Sequence, residues 1–434
     1  MDFCLILHFF FSWYRSVKKT GWKIDFWYLI LFIGIVQHLL FLYPFNASPL
    51  NTLAMGPLQG QLEPYIDQAF KIGVVGYLSI WIGRLLCRPN FTFSFLMARV
   101  IENNVKSPIA FVFLYTITIG LGLILLSIQF SEGFFFNGRD FFLSSEFLRP
   151  LFNFTLSLFQ IVIFFIALRK KWLSFLPILL ISLCWGIRGI ILGGLLQIWM
   201  QYAFRREGRV SLFKTSLFFS SLLLSAILIE NLRAGSFNLT QACSSTLFSY
   251  FYGNNFSDTR DFACILSNWD GEFLYGKSYL AGLLSFIPRS FLWIREEWGI
   301  TLLTNQWIGF DSNIMPGLRP GLFGEAFLNF SYFGVILLGL FFGFCLRYVD
   351  LKIKQHKDLI KGYSHSILFL FASSLTLTVG LWQFYIFIFI NTCLIPLRAQ
   401  YRLNSQNKKD KSTNDQMGNY NTHQSLLPKE HPSP

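Results

Sequence analysis

The side chains able to do chemistry gather between residues 230 and 330, in a polar segment set between apolar ones. Its cations are Arg233, Arg260, Lys277, Arg289, Arg295 and Arg319, and its carboxylates run from Asp258 and Asp261 through Asp270, Glu272, Glu296, Glu297 and Asp311 to Glu325. Guanidinium groups bind phosphate oxygens in a forked geometry, and carboxylates accept protons, so anion binding and general-base catalysis are the chemistries on offer. Glu325 stands apart because Leu322-Phe323-Gly324 and Ala326-Phe327-Leu328 enclose it with apolar groups. Desolvation there would make it a stronger base; the alternative is a structural Glu–Arg pair tying loop to helix. Asp270-Gly271-Glu272 reads as acids flanking a turn, and no metal site is expected.

No histidine falls in this segment, since the six are His8, His38, His356, His365, His423 and His431. Histidine-based acyl transfer and Ser-His-Asp hydrolysis are therefore disfavoured there. Aromatic rings are plentiful, among them Trp269, Tyr275, Tyr279, Trp293 and Trp298. Interfacial packing accounts for some, and stacking on carbohydrate is the functional alternative. Cys243 and Cys264 are the cysteines in the segment, and the sequence leaves open whether they pair or stay as free thiols.

The elements positioning these groups must be membrane helices. Hydrophobic residues make up 53% of the 434 and charged ones 14%, a balance a soluble globule could not hide from water. The net charge of +13 sits in short Lys/Arg clusters between apolar runs, which is the pattern of cytoplasmic loops rather than of a nucleic-acid site. Spans are expected near Phe26–Leu42, Ile72–Leu86, Ile109–Ile128, Leu151–Leu168, Leu212–Ile229 and Tyr332–Leu346.

Trp172 to Phe204 would make a helix of about 50 Å, too long for one crossing. Basic residues flank it on both sides, so it reads as a hairpin turning at Trp185-Gly186-Ile187-Arg188-Gly189. Arg188 is left near the surface, either snorkelling or forming an anion site at headgroup depth. Ser366 to Ile395 reads as a second hairpin. The expected architecture is all-α and polytopic, with about ten crossings. Its segments are an interfacial stretch at 1–22, membrane helices at 23–229, the large external loop at 230–330, further membrane helices at 331–398 and a cytoplasmic tail at 399–434 with no apolar period. Both termini are expected inside.

Several of these residues, in this order, resemble the oligosaccharide repeat-unit polymerases of O-antigen and capsule assembly (Wzy-type). The likeness lies in Arg188-Gly189 at the hairpin turn, in Tyr275-Gly276-Lys277-Ser278-Tyr279 followed by Ile287-Pro288-Arg289, and in Pro320-Gly321 through Gly324-Glu325-Ala326-Phe327-Leu328-Asn329-Phe330. It covers about Trp172 to Leu346. The chain departs from the family where Ser290-Phe291-Leu292-Trp293-Ile294-Arg295 replaces a Trp-Pro-x-Lys-Pro-like segment.

The resemblance implies a bacterial inner-membrane glycosyltransferase, inverting and without cofactor or metal. It would transfer a growing glycan from undecaprenyl pyrophosphate to a new lipid-linked repeat on the outer face. Glu325, with Asp261 as second choice, would take the acceptor proton, and Arg188, Arg233, Arg289 and Arg319 would stabilise the leaving pyrophosphate. Lys277, Tyr279 and Trp293 would contact the sugars. The implied partners are undecaprenyl-pyrophosphate-linked oligosaccharides and the bilayer, with a flippase and a chain-length regulator. A polysaccharide flippase and an O-antigen ligase-like transferase are the competing readings.

Overall fold

The computed structural model describes residues 59–88, 96–134, 138–145, 147–169, 171–187, 258–287, 291–309, 317–355 and 381–396, with scattered single positions at 11, 190–224 and 364. Every regular element among the described residues is helical. Four of these helices are long and apolar enough to cross a membrane: Pro64–Leu86, Pro108–Ser131, Leu148–Arg169 and Gly321–Lys352. The chain is thus an all-α membrane protein. The expected spans at 26–42 and 212–229 lie outside the described residues or meet them only at single positions.

In chain order the helices are α1 (Gln59–Leu86), α2 (Leu96–Lys106), α3 (Pro108–Ser131), α4 (Gly138–Ser144), α5 (Leu148–Arg169) and α6 (Leu176–Cys184). Then come α7 (Asp258–Asn268), α8 (Lys277–Leu283), α9 (Ile294–Glu297), α10 (Ile300–Ile308), α11 (Gly321–Gln355) and α12 (Leu381–Pro396). Local chemistry sets the boundaries. Ser107 caps α3 by accepting the Ala110 N–H, with Pro108 at the first helical position, where its missing N–H does no harm. After α6 the chain turns at Trp185-Gly186, and Gly186 takes φ +69°, which costs a glycine little.

Two cores result. In the first, α2 to α6 bury Phe142, Phe152 and Phe159 around Trp185, whose ring stacks on Phe159 at 5.3 Å. Helix α12 joins this core, and Asn104 of α2 donates to the Asn391 carbonyl at 2.7 Å, a hydrogen bond inside apolar surroundings where an orphaned amide would be costly.

The second core holds α1, α7, α10 and α11. Helices α1 and α11 lie backbone to backbone along a seam of small residues, Gly76, Ser79 and Gly83 facing Gly339 and Gly343. A Cβ added at Gly339 would stand 2.6 Å from Ser79 Cβ and 2.9 Å from the Gly76 carbonyl, and one at Gly343 would meet the Ile80 carbonyl. In a bilayer, where lipid tails are as apolar as leucine, such close approach supplies the association energy. At one end of this seam Arg84 Nη2 lies 3.4 Å from Asp350 Oδ2, with both side chains largely buried.

Helix α7 packs against α1 and is buried from Arg260 through Leu266. An all-round buried helix cannot carry an unpaired charge, and its adjacent Arg260 and Asp261 neutralise each other. Cys264 at its centre is a free, buried thiol, while Cys243 lies outside the described residues. Burial, then the negative charge of Asp261, pushes the Cys264 thiol up to about 11. Only the thiolate reacts, so maleimide at pH 8 should leave Cys264 unlabelled in the folded protein and modify it after denaturation. Rapid labelling of the native chain, read by mass spectrometry of the α7 peptide, would contradict the packing.

Candidate functional site

The site is organised by a break in α11. Gly321 opens the helix after Pro320, and residues 323 to 329 are buried. At Phe330 and Ser331 the dihedrals leave the helical region (φ/ψ −140°/24° and 54°/−152°), and the helix resumes toward Gln355. Sharp interruptions of this kind require other groups to meet the exposed backbone. Here the segment after α7 does so: the Leu274 N–H donates to the Leu328 carbonyl at 2.9 Å and the Tyr275 N–H to the Asn329 carbonyl at 3.1 Å.

Side chains lock the same junction. Asn329 Oδ1 accepts the Gly276 N–H at 2.9 Å, and Asn329 Nδ2 donates to Ser278 Oγ and to the Glu325 carbonyl, each at 2.8 Å. Ser278 Oγ in turn donates to Glu325 Oε1 at 2.7 Å. Glu325, Asn329 and Ser278 are each 0% exposed. A carboxyl group so placed needs a hydrogen-bond partner in place of water, and the Ser278 hydroxyl supplies one. Asn329→Ala would leave the Gly276 amide and Ser278 hydroxyl short of a partner, with an expected loss of about 1–3 kcal/mol. Thermal unfolding of the detergent-solubilised variant measures this, and an unchanged midpoint would count against the network.

Next to this buried group, the segment that carries Ser278 also presents aromatic rings and Lys277. Tyr279 stacks on Phe330 with centroids 6.5 Å apart, and burial together with the Glu325 carboxylate pushes its phenol upward, so it stays a donor. Lys277 Nζ lies 5.8 Å from the Trp298 ring, and Trp298 meets Trp293 edge to face at 5.4 Å. Trp293 is 57% exposed. Tyr279 therefore lies close to Glu325, and Trp293 and Trp298 gather beside Lys277, the residue before Ser278.

The other candidate residues are placed differently. Asp261 accepts from Arg260 Nε at 3.1 Å and Nη2 at 2.8 Å, so its carboxylate is engaged in an ion pair on α7. Arg319 is exposed immediately before Pro320. Beside it a small, open crevice lies between α1, the start of α7 and Pro320–Gly324, walled by Phe70, Tyr77, Phe262 and Phe323. Arg188, Arg233 and Arg289 lie outside the described residues. No group of three or more metal-ligating side chains occurs among the described residues.

With the geometry in place, comparison adds nothing to it. No family model, curated protein or solved structure matches the chain.

Sequence reasoning singled out Glu325 but missed its partners Ser278 and Asn329. Both stand in the Tyr275–Tyr279 and Gly324–Phe330 motifs, and a serine and an asparagine beside an isolated glutamate were the available signal. It also passed over Gly339-Leu340-Phe341-Phe342-Gly343, whose four-residue spacing of glycines marks a helix-packing face.

Proposed function

We propose that the chain is a membrane glycosyltransferase that polymerises lipid-linked oligosaccharide repeat units at the outer face of a bacterial cytoplasmic membrane. One observation carries the reading: a fully buried carboxyl group, Glu325, accepts from Ser278 beside a helix break, with Tyr279 close to it and Lys277 next to Ser278 in the chain.

In the reaction, a hydroxyl oxygen on the distal sugar of the new repeat attacks the anomeric carbon of the growing glycan. The bond from that carbon to undecaprenyl pyrophosphate breaks, and its electron pair leaves with the pyrophosphate. The hydroxyl proton passes to Glu325 through Ser278 Oγ, which already donates to Oε1 and keeps a lone pair to accept another proton. Arg319, with Arg188, Arg233 and Arg289, supplies positive charge to the departing pyrophosphate. Closure against water protects the activated donor from hydrolysis.

A deletion strain should accumulate lipid-linked single repeats on the outer face and lack long chains. Repeats retained on the cytoplasmic face would instead identify a flippase, and long chains that are made but never transferred would identify a ligase.

A further inference from the structure

Tyr275 adopts φ +46°, the left-handed region that favours glycine, although it carries a large side chain. The next residue, Gly276, has φ +88° and meets no such cost. Hydrogen bonds from the Tyr275 and Gly276 amides to Asn329 fix the turn, and these are backbone donors that any residue would supply. The tyrosine ring is therefore not needed to hold the turn. It is 74% exposed, with its ring edge to face against Phe273 at 6.3 Å, and Phe273 in turn meets Trp269 at 5.3 Å and Phe327 at 6.2 Å. Tyr275 is thus the exposed end of an aromatic ladder rooted on α11, two residues beyond Glu325 at Phe327.

A strained backbone that holds an exposed ring on the segment bonded to Asn329 calls for a ligand. We infer that Tyr275 is a sugar-stacking residue that seats the acceptor glycan over the Glu325–Ser278–Asn329 network. The negative face of an aromatic ring attracts the polarised C–H groups on one face of a pyranose, a geometry a flexible lysine or leucine does not offer. Lys277 lies two residues on in the same turn, within reach of a hydroxyl or carboxylate of the same sugar. The inference rests on the glycosyltransferase reading and names the residue that sets acceptor affinity.

The test exploits the strain. Tyr275→Gly relieves the backbone and should leave the thermal midpoint equal or higher, whereas a packing residue would lower it. In a deletion strain complemented with each variant, repeat-unit supply is titrated through the upstream glycosyltransferase and chain lengths are read by electrophoresis. Y275G should need about tenfold more repeat units for half-maximal extension, the size one stacking contact supports, with the maximal rate little changed. Y275W and Y275F should behave like the parent.

Wild-type extension by Y275G at low supply would overturn the inference while leaving the polymerase reading intact, and would mark Tyr275 as an interfacial ring facing lipid. A Y275G midpoint lowered in step with activity would also overturn it. A deletion strain with undiminished polymer would remove the glycosyltransferase reading and this inference with it.

Discussion

Glu325→Gln is expected to abolish chain extension while the protein still folds and reaches the membrane. Glutamine keeps the side-chain volume, and its carbonyl oxygen can accept from Ser278 as the carboxylate does at 2.7 Å. It cannot take a proton. General-base groups contribute about 10²–10⁴-fold, so residual extension should be barely detectable. Glu325→Ala is the harsher probe, because it also leaves the Ser278 hydroxyl without its acceptor in a fully buried place. The comparison separates chemistry from architecture: E325Q should match the parent in membrane abundance and thermal midpoint, and E325A should fall in both. Polymer of normal length from E325Q would sink the catalytic assignment and leave Glu325 as a structural tie between the Leu274–Ser278 segment and α11.

The second large effect is expected at the seam. Gly343→Leu would drive a side chain into the Ile80 carbonyl and the Arg84 amide, which a Cβ alone approaches to 3.0 Å. Backbone atoms cannot rotate away as a side chain can, so α1 and α11 must separate, at a cost near the top of the roughly 1–3 kcal/mol typical of overpacking. Separation also pulls Arg84 from Asp350, weakening an ion pair between two largely buried side chains. The measurement is membrane abundance with thermal unfolding in detergent. Gly120→Leu is the control, since a Cβ there meets nothing within 4 Å. Equal loss at both positions would show that glycine flexibility, and not the close contact, explains the effect.

These predictions differ in how far the residues alone supported them. Glu325 was legible because an ionisable residue among six apolar neighbours is conspicuous. Its partners were not, because Ser278 stands 47 positions away and hydrogen-bonding residues are common in any loop. Asp261, the second choice for the base, is paired on α7 with the adjacent Arg260. In a buried helix an acid and a base one residue apart neutralise each other, a preference no charge count reveals. The long apolar helices were legible from composition alone. Their pairing was not, since α1 and α11 are brought together from some 250 residues apart by small residues whose spacing alone does not name a partner.

By itself the sequence pointed to a helical membrane protein, because its apolar residues fall in unbroken runs of about 20, the length at which a helix satisfies its own backbone across lipid. It also showed where ionisable groups concentrate, since they are excluded from apolar spans. Only the tertiary structure decided that α11 breaks at Phe330–Ser331, that the Leu274–Gly276 backbone fills the break, and that Asn329 and Ser278 close on Glu325. Those contacts depend on which carbonyls a broken helix leaves open and which distant amides reach them, and that is a property of chain geometry in three dimensions rather than of local composition.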